Sequence, residues 1–431
     1  MAERRLAVYL DGIPAGTLTQ NSAGKVGFTY YDDYRPPGAV PLSLSLPLGR
    51  SSHPPKAVNA FIAGLLPDSE PTLERWGRQF GVSPRNPFAL LAHVGHDAAG
   101  AVQILPEGEP SLDAATRQGD IEWLTDDDIT AVLRDVASHP ADWNPGRDTG
   151  RWSLAGAQSK VALFRSDDGH WGVPRDSTPT THILKPSIPG LEHHHVNEHL
   201  CLRAAQLIGL AAARTEIITT GDVEVLICQR YDRTFKDGRW RRAHQEDLCQ
   251  ALSVHPSMKY QSDGGPGIRE IAHLFSGLAA PDRQVSAKRF FDALFFNVAI
   301  GATDAHAKNY SMLIGAGSRA QLGPLYDVAT VLPYDQGADH RSAMKIGDSW
   351  EMRRVSEKDW MIVARSLGIP AEEARERTRE LRAAIPDAFH RAANEVVVPD
   401  SLRDHATWIA DLVGAHVEGP ARSFRRPRTV A

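Results

Sequence analysis

The feature that most constrains the fold of this chain is a change in hydrophobic period near residues 260–267. Before it, short runs with strand character dominate and helical runs are few. Beyond "QSDGGPG", four segments carry apolar residues at helical spacing: "IREIAHLFSGL", "AKRFFDALFFNVAIGA", "DWMIVARSLG" and "AEEARERTRELRAAI". Text written in two periods predicts a mixed α/β half followed by a mainly helical half, an α+β arrangement. With 431 residues there is chain enough for two or three domains with cores of their own.

The α/β half divides again. "RLAVYLDGIPAG" predicts a short strand and a Gly-rich turn, and "VGFTYY" another strand. "PLSLSLPL" alternates polar and apolar residues between prolines, which predicts an edge strand. "AVNAFIAGLLPDSEPTLERWGRQFG" predicts a helix broken at Pro67, "PFALLAHVG" a second short helix, and "AGAVQIL" a return to strand. A Pro/Glu/Gly stretch around 106–120 reads as a linker. From 150 to 232 a second strand-rich unit follows, with strands in "KVALF", "THILK", "ARTEIITT" and "VEVLICQRYD". Its helix, "VNEHLCLRAAQLIGL", sets Val196, Leu200, Leu207 and Ile208 along one face. The expected units are 1–115, 116–260 and 261–431.

Just after a strongly apolar run, "IGATDAHAKNYSMLIGAG" gathers an acid, a histidine, a lysine and an amide within six residues. Phosphoryl transfer from ATP calls for such parts. A carboxylate orients the attacking hydroxyl and accepts its proton, an amide and a second carboxylate hold magnesium, and a cation and a backbone cradle meet the phosphates. Asp304 and Asn309 have the D-x-x-x-x-N spacing of a kinase catalytic loop. Asp327, in "LGPLYDVAT", follows one hairpin later, where the second magnesium ligand belongs. Alone, the pair reads equally well as a turn cap and a polar loop residue.

Support lies upstream. In "WSLAGAQSKVALF" the small residues Ala155, Gly156 and Ala157 would let backbone N–H groups approach phosphate. A kinase loop has three glycines and this one has one, so an ordinary hairpin turn stays open. Lys185 ends the strand "THILK", and Glu198 sits on the next helix, in the order of the kinase lysine–glutamate ion pair. A solvated lysine and a helix-surface glutamate are the alternative. "LICQRYDR" carries an apolar strand into Gln229–Tyr231, where a chain linking two lobes could offer backbone groups to adenine. Loop, lysine, glutamate, linker, acid–amide pair and second acid occur in kinase order, and that agreement across levels predicts a two-lobed kinase.

Taken together, "RPPGAVPLSLSLPL", "GLLPDS", "VGHDAAGAV", "SLAGAQSK", "TPTTHILKP", "NEHLCL", "QEDLCQ", "KYQSDGGPGI", "GATDAHAKNYSMLI" and "PLYDV" resemble the HipA family of bacterial serine/threonine-kinase toxins. The resemblance runs from the first strand to beyond residue 330 and fades in the C-terminal third. It implies a two-lobed, protein-kinase-like fold using ATP and Mg2+. Asp304 would be the catalytic base, and Asn309 and Asp327 the magnesium ligands. His306, Ala307, Lys308, Asn309 and Tyr326 would lie at the nucleotide, and Lys185 would bind phosphate with Glu198 as its ion-pair partner. Ala155, Gly156, Ala157, Gln158, Ser159 and Lys160 would form the loop above the phosphates, and Gln229, Arg230 and Tyr231 the adenine linker. Ser159 stands where an acidic residue can occur and Ala305 where a glycine can; neither change removes a functional group.

The resemblance also implies that Ser153 is phosphorylated by the protein itself, which shuts the enzyme off. The protein target would be a translation factor such as an aminoacyl-tRNA synthetase. A small HipB-like DNA-binding antitoxin would be the partner, with operator DNA met through that complex. Arg353 and Arg354 of "MRRVSEK" are candidate DNA contacts, beside the plainer reading of a solvated face. A role mainly as a DNA-associated co-repressor and antitoxin-binding partner, which can coexist with kinase activity, and a small-molecule kinase remain the other readings.

Net charge of −5 argues against wholesale coating of nucleic acid. Cys201, Cys228 and Cys249 show no C-x-x-C spacing and read as reduced, buried thiols. The start "MAERRLAVYLDG" has no apolar signal region and no window suits a membrane span, so a bacterial cytoplasmic protein is expected. "HHH" at His193–His195 reads as a flexible surface loop, since three adjacent side chains cannot all face one metal ion. The basic tail Arg422–Arg428 reads as a frayed terminus.

Overall fold

The computed structural model describes residues 3–34, 38–108, 117–138, 152–335, 340–395 and 397–419; the basic tail lies outside them, as does much of the expected linker. In the first unit β1 (Arg4–Leu10), β2 (Ile13–Gln20), β3 (Val26–Tyr30) and β4 (Val102–Pro106) form an antiparallel sheet ordered β3-β2-β1-β4. Asp11 and Gly12, both at positive φ, make the two-residue turn between β1 and β2, the conformation that a tight hairpin demands. Helices α1 (Pro55–Gly64), α2 (Glu70–Phe80) and α3 (Pro87–Val94) cover one face, burying Val8, Leu18, Phe28, Phe61 and Trp76. The helix break falls at Pro67 as the sequence predicts, and Ser69 caps α2 by accepting from the Thr72 N–H at 3.3 Å. The break leaves Asp68 in the short connection, a placement that matters below.

"PLSLSLPL" is not a strand. Only Ser43 and Leu46 bridge, around a turn. Its alternation serves two anchors instead of a ladder: Leu42 and Leu46 are buried in the core, while the Leu44 N–H donates to Glu246 at 2.7 Å.

The second unit is one antiparallel sheet of β5 (Ile121–Trp123), β6 (Val161–Arg165), β7 (Trp171–Pro174), β8 (His182–Pro186), β9 (Thr215–Thr220) and β10 (Val223–Gln229), ordered β5-β7-β6-β8-β10-β9. It carries α4 (Asp126–Ser138) and α5 (His194–Leu207). Val196 and Leu200 of α5 are fully buried, while Leu207 and Ile208 are half-buried. The His193–His195 run is not a surface loop. It opens α5, His195 is 1% exposed, and the helical turn separates the three rings instead of fanning them into solvent.

The chain then forms the hairpin β11 (Arg233–Lys236)/β12 (Arg239–Arg242), β13 (His244–Asp247) and the one-turn α6 (Leu248–Ala251). Helices α7 (Ile268–Ser276) and α8 (Ala280–Ala299) follow, and β14 (Ser311–Ile314) and β15 (Ala320–Leu322) join β13 in a three-stranded sheet. The hairpin β16 (Arg341–Ile346)/β17 (Ser349–Glu351) and helices α9 (Glu357–Leu367), α10 (Ala371–Ala393) and α11 (Arg403–Glu418) complete the lobe. Within α8, Phe290, Phe291, Leu294, Phe295 and Phe296 are all buried, so the C-terminal half of the helix is apolar nearly all round and forms the axis of its lobe. Each such side chain contributes roughly 1.5–3 kcal/mol by leaving water. Asp292 interrupts this apolar stretch, and it is met by Arg377 at 2.9 Å. Helix α5 packs on α10 as well as on its own sheet, which ties the two lobes behind the cleft. Cys201, Cys228 and Cys249 are free and buried. No described helix is long and apolar enough to cross a membrane.

Candidate active site

A cleft opens between the second sheet and the helical lobe. Ala155, Gly156, Lys160, Lys185, Glu198, Gln229, Arg230, Tyr231, Lys308, Asn309, Tyr326 and Asp327 line it. A wider mouth adjoins it, lined by Ala157, Gln158, Asp304 and His306, with Asn309 and Asp327 common to both. Ser159 and Ala307 are buried and line neither space.

Helix α8 delivers the acid. It ends at Ile300, Gly301 turns the chain at φ 71°, and the Ala302 N–H returns to the Asn297 carbonyl at 2.8 Å. Glycine enters that conformation without the Cβ penalty. The chain emerges with Asp304 63% exposed at the mouth. Its backbone carbonyl accepts from the His306 N–H at 2.8 Å and from the Asn309 side-chain amide at 2.7 Å, which folds the loop back on itself. Because the Asn309 N–H is used there, its carbonyl oxygen is the atom free to meet a cation. The Tyr260 hydroxyl donates to the Asp304 carboxylate, and the Tyr260 ring packs edge-on against His306 at 4.9 Å.

Opposite, Lys185 projects from β8. Its ammonium donates to Glu198 on α5 at 2.7 Å and to Asp327. Burial alone would pull the Lys185 ammonium down, but Asp327 and Glu198 together outweigh it and hold the group well above the ordinary lysine range. For Asp327 burial works upward, yet Lys185 and then Lys160 win, and the carboxyl lies well below the usual range. Asp327 also sits at φ 57°, a left-handed conformation uncommon for a residue with a side chain. Such outliers persist where the surroundings enforce them and concentrate at functional sites.

The loop from Ser153 to Lys160 roofs the cleft. Gly156 at φ 111° lies so close to the Lys160 ammonium that any Cβ there would collide with it. Lys160 donates to the Ala155 carbonyl at 2.7 Å, and burial lowers its ammonium to about 8. The Gln158 amide donates to the Pro186 carbonyl at 3.2 Å. Ser153 is fully buried, its hydroxyl donating to the Leu65 carbonyl at 2.7 Å.

At the far end Gln229 is exposed and its N–H donates to the Arg214 carbonyl at 2.9 Å. The Arg230 guanidinium turns away into a buried cluster with Asp97 and Asp232, and its backbone N–H donates to the Thr181 carbonyl at 2.9 Å, so Arg230 shapes the cleft wall without offering it a hydrogen-bond donor. Tyr231 and Tyr326 lie with ring centroids 6.0 Å apart, and the Tyr326 hydroxyl reaches the Lys308 carbonyl at 2.7 Å. Lys308 itself points to Asp68. Arg353 and Arg354 are exposed on a turn far along the chain, with Arg354 paired to Glu351 at 2.6 Å.

Two participants had no role in the sequence reading. Asp68, from the connection between α1 and α2, binds the ammonium groups of Lys308 and, at 3.2 Å, Lys259, while its N–H donates to the Gly156 carbonyl at 3.0 Å. The N-terminal unit thereby clamps the roof loop to the catalytic loop. Tyr260 is the second. The stretches "GLLPDS" and "KYQSDGGPGI" carry these residues, but no local spacing connects them to Asp304.

Residues 152–389 match the family model of the HipA-like C-terminal domain, and residues 6–105 that of the HipA N-terminal domain. The chain belongs to the HipA family. It is 34% identical over 404 residues to Y4mE of Sinorhizobium fredii (strain NGR234), covering 92% of this chain and 93% of that one. To the serine/threonine-protein kinase toxin HipA of Shewanella oneidensis it is 27% identical over 421 residues, covering 94% and 92%. Its fold matches the solved HipA of the Shewanella oneidensis MR-1 HipA, HipB and operator DNA complex with a TM-score of 0.80, at 24% identity over 96% of each chain. The two-lobed α+β fold expected from the sequence is the fold found, and as a HipA-family enzyme the protein is a kinase.

Proposed function

We propose that this kinase transfers the γ-phosphoryl group of ATP to a serine or threonine hydroxyl of a protein, as the toxin of a toxin–antitoxin pair. The observation that carries the reading is the meeting of Asp304, Asn309 and Asp327 along one open cleft with Lys185 reaching in from the other lobe. Asp304, exposed at the mouth, accepts the proton as the substrate oxygen attacks. Asp327 and the Asn309 carbonyl oxygen are hard donors suited to magnesium. Magnesium, when bound, supplies charge neutralisation on the phosphate oxygens. Lys185, kept charged by Glu198, then offers its remaining N–H to phosphate. Gly156 and Lys160 close the roof, and the backbone of Gln229–Tyr231 edges the adenine end.

The buried hydroxyl of Ser153 supports self-inactivation. Phosphorylation requires the roof loop to leave its closed place, and a group carrying about −1.5 to −2 charges does not return beside ATP's own anions. The protein target we propose is a translation factor such as an aminoacyl-tRNA synthetase, and the partner a HipB-like antitoxin through which operator DNA is met. The structural relative with HipB and operator DNA supports that partner. Exposed Arg353 is better placed than Glu351-bound Arg354 to touch a DNA phosphate.

Labelled phosphate transfer from Mg-ATP in a cell lysate, resolved on a gel, tests the reading. Wild type labels a protein band and Asp304→Asn, folded, labels none. Label confined to small metabolites, or undiminished in Asp304→Asn, contradicts it.

A further inference from the structure

We infer a transition-metal site of zinc type outside the cleft, formed by His193, His195 and Glu224. A nitrogen of each imidazole and a carboxylate oxygen of Glu224 lie within 4.8 Å of one another. The His195 Nε2 is 3.2 Å and the His193 Nδ1 3.7 Å from the same Glu224 oxygen. His195 is 1% exposed, and its Nε2 is buried facing the Glu224 carboxylate. The difficulty that three adjacent histidines cannot share one ion disappears, because only the first and third converge. His194 lines the cleft mouth beside Tyr334.

Two further details fit a metal better than a chance pairing. His193 precedes α5 at φ 53°, left-handed, without a side-chain capping bond. A residue with a side chain tolerates that backbone when something else gains from it. The second nitrogen of each ring also faces a polar group. His193 Nε2 lies 3.6 Å from the Glu192 carboxylate, and His195 Nδ1 lies 3.4 Å from the Ser187 hydroxyl. Outer partners of this kind fix the tautomer and ring orientation of metal-bound histidine. Two imidazoles and a carboxylate form the three-ligand set of an open zinc site, with a fourth position for water. Imidazole donors disfavour magnesium and calcium.

The site would fasten the start of α5 to β10. Glu198, one turn beyond His195, holds Lys185, so a bound metal would steady the element that presents the phosphate-binding lysine. That consequence rests on the kinase reading; the metal site does not.

The test uses Co2+ as a spectroscopic probe on the full-length protein after removal of metals by EDTA. Wild type is expected to bind about one Co2+ per chain with the visible absorption of a four-coordinate ion, displaced by Zn2+. His193→Ala and Glu224→Gln, at partly exposed positions, should lose that absorption and weaken binding at least about 10-fold. His194→Ala should keep both. Circular dichroism checks that each variant is folded, and Ser187→Ala, which alters only an outer partner, should weaken binding without abolishing the band. Failure of wild type to take up Co2+, or retention of the band in both His193→Ala and Glu224→Gln, overturns the site. No ATP is present, so such a failure leaves the phosphotransfer reading untouched.

Discussion

Two groups of buried charge sit side by side in this molecule and behave in opposite ways. In one, Asp97 from the first unit meets Arg233 at 2.9 Å, Arg242 at 3.0 Å and Arg230 at 3.3 Å, and Asp232 adds a second acid at 3.0 Å from Arg230. The spare guanidinium N–H groups go to the carbonyls of Ala98, Gly100, Thr180 and Ser177. All five charged side chains are sealed from solvent. In the other group Lys185 bridges Glu198 and Asp327, but Asp327 is 34% exposed and one Glu198 oxygen has no hydrogen bond. Buried charge therefore does not by itself mark a site; hydrogen-bonding capacity left open toward a cleft does. The residue choice agrees. Arginine, permanently charged and fork-shaped, holds three segments together, while lysine, a compact rotatable charge, serves where a ligand must share it.

The comparison can be broken most sharply at Asp304. Asp304→Asn is expected to lower phosphotransfer by about 10²–10⁴-fold, the usual worth of a general base. Its denaturation midpoint should match wild type, because the side chain stands in solvent; a large loss of stability would place Asp304 with the sealed group. The reverse holds at Asp97. Asp97→Ala strands buried guanidinium groups and should cost about 3–5 kcal/mol by urea unfolding, with phosphotransfer per folded molecule retained near wild type. Equal stability would show that the cluster is not a weld.

Ser153 lies between the two regimes, sealed yet part of the roof. Ser153→Ala should keep initial kinase activity and lose the slow self-inactivation seen on prolonged incubation with ATP. A variant that stops on the wild-type schedule would remove Ser153 from that role. A pH-dependent effect concerns Glu246, buried at the cleft floor, where burial pushes its carboxyl up to about 8. Because the folded value exceeds the ordinary 4.5, the stability it contributes is complete below that pH and is lost as pH rises through about 8. Glu246→Gln should flatten stability across that window, measured by thermal melting; an unchanged slope would contradict a neutral Glu246.

The same contrast explains what the sequence made legible. Asp304, Asn309, Asp327, Lys185 and Glu198 could be named in advance because each sits at a set distance from its own strand, helix or hairpin. Asp68, Tyr260 and the Asp97 cluster could not, since their partners lie in other units and tertiary packing alone brings them together. The strand β13 was too short to announce a period, and "PLSLSLPL" announced one that docking, not pairing, uses. At His193–His195 adjacency in sequence hid the alternation that the start of α5 imposes.

The central claim is that Asp327 and Asn309 hold a magnesium ion against a nucleotide that Lys185 also meets. Titration of a fluorescent ATP analogue with and without Mg2+ tests it in one assay. Wild type should bind more tightly with magnesium, and folded Asp327→Asn should still bind nucleotide but lose that gain. A full magnesium dependence in Asp327→Asn would contradict the account.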